Sequence, residues 1–195
     1  MKGIIEFILD KMLQNDVIDA KEKEIYDFGL RRILISGENY LVMILIGLFL
    51  NSPANIVMYL MSFVPLRVLG GGIHADSEKM CFFASTVLSV IILAILKYKM
   101  ISEGIMIVLT VMANIYLWKN APVNCTGDKI GEAEYLFYRK RFRTVLFLEM
   151  IIMIIVLAVD RNDISYVIMA AIVMEGILIV SGKWFQGKKE YMLYK

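Results

Sequence analysis

The sequence predicts an all-α, polytopic membrane protein with six transmembrane helices, and three observations carry that prediction. Of its 195 residues, 59% are hydrophobic, whereas a soluble domain is about 45–50% apolar. The mean hydropathy is +0.67, and the apolar residues gather into long blocks instead of alternating with polar ones. Eighteen of the 21 Lys and Arg residues fall on one side of the topology those blocks imply, as the positive-inside rule requires.

Residues 1–32 are expected to form cytosolic or interfacial helices. Ile4, Ile5, Ile8, Leu9, Met12 and Leu13 make an apolar stripe at helical spacing, with Glu6, Asp10 and Lys11 on other faces. Such a helix lies on a membrane surface or against the bundle. Asp19 followed by Glu22 resembles a capping box and starts a second helix through AKEKEIYDFGLRR. The acids scattered over this region argue against a secretory signal peptide.

Six apolar blocks follow, at 33–50, 53–66, 80–96, 101–118, 144–159 and 164–182, with a tail at 183–195. A span needs roughly 20 residues to cross about 30 Å of hydrocarbon, so the second and fifth blocks are short. Asn51-Ser52-Pro53 reads as a tight turn between the first two, and Asp160-Arg161-Asn162-Asp163 separates the last two. Both termini belong in the cytosol, because only Lys97, Lys99 and Arg161 then lie outside. The whole chain is one integral-membrane domain in contact with the lipid bilayer.

The chemistry concentrates at residues 67–81, RVLGGGIHADSEKMC, on the cytosolic face. His74 is the only histidine, and Cys81, one of two cysteines, follows seven residues later. This set gives no metal-ligand spacing, so no metal is expected. A net charge of +2 gives no basis for nucleic-acid binding. On one straight helix His74 and Cys81 would sit about 10 Å apart along the axis, too far for the roughly 3 Å contact of a nucleophile and its base. Gly70, Gly71 and Gly72 supply a hinge that lets His74 fold back. The third span begins near Ser77, which leaves Cys81 about one turn in, where the helix dipole favours a thiolate. Asp76 and Glu78 oppose that effect, so an imidazolium partner matters more. Ser85 shares the helix face of Cys81. The bland alternative is an apolar filler cysteine and an interfacial histidine.

Arg67, Gly71-Gly72, His74-Ala75, Cys81 and Ser85 together resemble the accessory gene regulator protein B (AgrB) family of Gram-positive bacteria. Ala121-Pro122-Val123, Lys129 and the basic run Arg139-Lys140-Arg141-Phe142-Arg143 extend the resemblance through the loop after the fourth span. Asn124 and Asp128-Lys129-Ile130 depart from the family's usual residues there. The resemblance implies a membrane cysteine endopeptidase acting on a quorum-sensing propeptide, AgrD. Cys81 is then the nucleophile and His74 the general base and acid, and no cofactor is needed. The intermediate is an acyl-enzyme thioester that a propeptide cysteine or serine resolves into a thiolactone or lactone ring. Arg67, Lys129, Arg139, Lys140, Arg141 and Arg143 would hold the substrate and its acidic tail, although the basic run also follows from topology alone. A homodimer is compatible with the family.

Three acids, Glu38, Glu149 and Glu175, fall inside expected spans, where acids face the bundle interior or water. Glu38, or less readily Glu149, is a candidate to orient His74, and Glu175 to meet an Arg or Lys of a neighbouring helix. Two other function classes compete: a small-peptide exporter without proteolytic activity and a non-catalytic membrane scaffold. No P-loop is present, which removes an ATP-driven pump.

Overall fold

The computed structural model describes residues 2–71, 78–123 and 131–193, with the backbone alone at positions 2, 32, 78–82, 84, 85 and 89 and beyond Trp184. His74, Gly72 and Lys129 therefore lie outside the described residues. The described chain forms helices α1 (Lys2–Gln14), α2 (Lys23–Phe49), α3 (Pro53–Gly70), α4 (Glu78–Tyr98), α5 (Glu103–Asn120), α6 (Glu132–Ala158) and α7 (Asn162–Leu193). The all-α class is as the sequence predicts. Among the described residues, α2, α3 and residues Asn162–Trp184 of α7 are long and apolar enough to cross a membrane.

The stripe on α1 packs inward except at Ile4, which is exposed. Ile5 and Leu9 are buried with Ile18, against Leu30 and Leu34 of α2. The expected second helix and first span are not separate, because α2 runs unbroken from Lys23 to Phe49. The charged residues ahead of the apolar block are themselves helix formers, and Arg31 donates to Asp27 one turn earlier at 2.7 Å. The expected capping-box start at Asp19 is displaced: α2 begins at Lys23 with Glu22 as its N-cap and no side-chain cap bond, and the Asp19 N–H donates to the Glu22 carboxylate at 3.4 Å within the preceding turn.

The turn at Asn51 forms as expected. Asn51 adopts φ +52°, and Pro53 opens α3, where its missing N–H costs nothing. The short second and fifth blocks sit on longer helices: α3 continues to Gly70, and α6 starts at Glu132. Hydropathy marks only the apolar part of a helix, while Arg, Lys and Glu at its ends prolong it.

The bundle is built around α7. Its residues 165 to 172 are buried without interruption, and α3, α4, α5 and α6 all pack against it. A helix that is apolar on every face belongs in a bundle interior, and this one has no polar stripe to turn outward. The outer layer is completed by α2, which packs on α1, α3 and α4.

Polar contacts tie the helix ends into two groups. At one end, Lys99 in the α4–α5 connection pairs with Asp163 of α7 at 2.8 Å, and the Tyr166 hydroxyl donates to the Ile101 carbonyl at 3.0 Å. The hydrogen bond from Lys99 to Asp163 holds the Lys99 ammonium above the usual lysine range. At the other end, the end of α3 meets the residues after α5, and Lys183 of α7 donates to Asn120 at 2.6 Å. Connections that an alternating topology puts on one side are thus together in space. Tyr166 is buried, so Tyr166→Phe, which orphans the Ile101 carbonyl, is expected to cost about 1 kcal/mol. That loss lowers the thermal midpoint in detergent by about 2–4 °C.

Candidate active site

The last turn of α3 and the segment after α5 form one locked junction. Gly71 leaves the helix with φ +73° and ψ −140°, a region that only glycine occupies without strain. Its N–H still reaches the Arg67 carbonyl at 3.3 Å. The Arg67 guanidinium donates to the Gly71 carbonyl, so Arg67 is half-buried and fixed against the hinge as well as placed at a span end. The Val123 N–H donates to the Gly70 carbonyl at 2.9 Å, and Gly71 and Val123 form a parallel bridge. A side chain at position 71 would lie 2.3 Å from the Val123 carbonyl oxygen. The hinge glycine and the Ala121-Pro122-Val123 motif are therefore two halves of one structure, with the Ala121–Pro122 peptide cis.

Gly70 is helical, which corrects the expectation that all three glycines leave the helix. Its role is close approach. A Cβ there would meet Glu175 Oε1 at 2.6 Å and the Phe142 ring at 2.8 Å. Glu175 is fully buried on α7, and among the described residues neither carboxylate oxygen has a hydrogen-bond partner. The Arg67 guanidinium, one turn before Gly70, bears on it electrostatically.

The sequence matches the accessory gene regulator B family model over residues 5–179. The chain belongs to that family. No curated protein and no solved structure matches it. Membership in the accessory gene regulator B family gives the chain a membrane location and a role in processing or exporting the agr quorum-sensing propeptide, AgrD. The two motifs that carry the family resemblance are the two that meet at the Gly71–Val123 junction.

Cys81 lies in the first turn of α4 as described, which starts at Glu78, and Ser85 follows one turn later on the same helix. His74 belongs to the connection between Gly71 and Glu78, outside the described residues. Glu38 is exposed on α2, and its neighbour Asn39 is the buried one. Glu149 is buried on α6 and accepts a hydrogen bond from Ser62 of α3 at 2.7 Å.

The basic run divides. Arg139, Lys140 and Arg143 line a groove of about 550 Å³ with Trp118, Leu136, Thr144 and Phe147. Arg143 donates Nε and Nη2 to the Trp118 carbonyl at 3.2 and 2.9 Å, and its guanidinium lies 4.9 Å from the Trp118 ring centre. Arg141 is exposed and stacks on Phe137 at 4.1 Å, away from the groove. In the sequence these cations form one continuous run. Helical spacing is the signal that separates them, since 139, 140 and 143 share a face that 141 does not.

Proposed function

We propose that this protein is a membrane-embedded cysteine endopeptidase that cleaves the C-terminal part of an AgrD-like propeptide. It has six spans, both termini in the cytosol of a Gram-positive bacterium, and its active site at the cytosolic face. The observation that supports this reading is the break in the chain between Arg67 and Cys81. Helix α3 stops at Gly70 and Gly71 turns away, while Cys81 stands in the first turn of a separate helix. One straight helix would have kept an imidazole at position 74 about 10 Å from the thiol along the axis.

His74 takes the Cys81 thiol proton, and the thiolate attacks the scissile carbonyl carbon. The C–N bond breaks, and His74 returns the proton to the leaving amine. A cysteine or serine of the bound propeptide then adds to the thioester. That exchange forms the ring and releases Cys81, whose thiolate is reprotonated through His74. A site at the membrane interface, shielded by helices, keeps water from the thioester during the exchange. Lys129 and Arg141 meet the propeptide's acidic tail.

The dyad is tested by alkylation of Cys81 with iodoacetamide at neutral pH, the chain's other cysteine being removed by Cys125→Ser. His74→Ala should slow it about tenfold, because a thiolate partner is lost; an unchanged rate refutes the dyad. A second reading, export without proteolysis, is favoured by the buried acids Glu149 and Glu175, since acids at depth mark transport paths. In proteoliposomes that reading requires Cys81→Ala to leave peptide translocation intact and the peptide uncut by the wild type.

A further inference from the structure

The groove beside Trp118 does not end at its basic mouth. It continues into a second cavity of about 340 Å³ with an almost wholly apolar surface, lined by Ile115, Leu146, Phe147 and Met150 with Asn114 and Lys119 beside them, and sharing Trp118 and Phe147 with the first. Both α5 and α6 pack on α7, and this trough runs in the cleft between them. From Arg139 to Met150 along α6 it covers about 16 Å. The basic mouth is at the helix end that carries the Gly71–Val123 junction, the end with most of the chain's cations. Arg139 Nε is shielded from solvent and, among the described residues, has no hydrogen-bond partner.

We propose that this groove binds one anionic phospholipid, with the phosphate held by Arg139, Lys140 and Arg143 and an acyl chain laid along Phe147 and Met150. A cationic rim alone would suit an acidic peptide equally. A cationic rim opening into an apolar trough between two membrane-associated helices suits a molecule that is anionic at one end and hydrocarbon at the other. Trp118 marks the boundary between those two regions, as aromatic residues do at the membrane–water interface. Basic pockets between helices on the cytoplasmic side are where such headgroups bind. The site goes beyond the peptidase reading, and it stands or falls separately from catalysis.

Trp118 is itself the probe once Trp184→Phe removes the other tryptophan. The full-length variant is reconstituted in vesicles, and Trp118 quenching by acyl-brominated phosphatidylglycerol is compared with that by acyl-brominated phosphatidylcholine. Saturable quenching at low mole fraction by the anionic lipid is expected. In Arg139→Gln/Lys140→Gln the preference should fall about thirtyfold, at about 1 kcal/mol per cation, with helix content by circular dichroism unchanged. Met150→Trp would add a competing fluorophore, so the trough is blocked instead with Ile115→Phe, which should also abolish saturable quenching with the rim intact. Arg141→Gln should retain the preference. Equal quenching by both lipids overturns the proposal, as does equal loss in Arg141→Gln. Relief of quenching by a soluble acidic peptide would assign the groove to a peptide.

Discussion

Gly71→Ala is expected to cut propeptide processing about a hundredfold, the effect of a displacement of about 1 Å at a reacting group. The methyl carbon would sit 2.3 Å from the Val123 carbonyl oxygen on a backbone with φ +73°, so either the junction opens or the hinge changes course. The combined strain and overlap is about 3 kcal/mol. Because the opposing atom belongs to the backbone, no rotamer change relieves it. Val123→Pro removes the N–H that donates to Gly70, while fixing φ at position 123 and changing a buried side chain, and it leaves Gly71 itself unstrained. The comparison uses cleavage rates together with thermal midpoints in detergent. A Gly71→Ala protein that cleaves at the wild-type rate would show that the junction does not position the site.

Replacing Cys81 by alanine should lower cleavage by roughly a thousandfold or more, and His74→Ala should do nearly the same. Groups that act as one nucleophile–base unit are strongly non-additive, so the double variant should be no worse than the single ones. The measurement is single-turnover cleavage of a synthetic propeptide by reconstituted protein. Additive losses would mean that the two residues work independently.

The sequence reading captured the helical class and the places where the chain turns, since apolar blocks, Asn51-Ser52-Pro53 and the 160–163 stretch are local signals. It split α2 in two, because charged residues that continue a helix look, on a hydropathy scale, like a loop ahead of it. It recognised the glycine hinge and Ala121-Pro122-Val123 as separate motifs. Their pairing through the Val123 N–H and the Gly70 carbonyl depends on how α3 and α5 pack on α7, and no local pattern encodes that. The reading also assigned one purpose to Gly70, Gly71 and Gly72. In the fold Gly70 is a helical residue kept small by Glu175 and Phe142, and Gly71 alone of the described pair needs a positive φ. Glu175 drew notice as an acid in an apolar stretch, but its position against Gly70 became visible only with α3 and α7 packed together.

The central claim is an acyl-enzyme on Cys81, and intact-protein mass spectrometry tests it most directly. Wild-type protein mixed with propeptide and quenched in acid should carry an adduct equal in mass to the N-terminal cleavage fragment less one water. The adduct should map to Cys81, disappear with hydroxylamine and be absent from Cys81→Ala. Cleavage of the propeptide by Cys81→Ala, or cleavage by the wild type with no adduct under single-turnover quenching, would contradict the account.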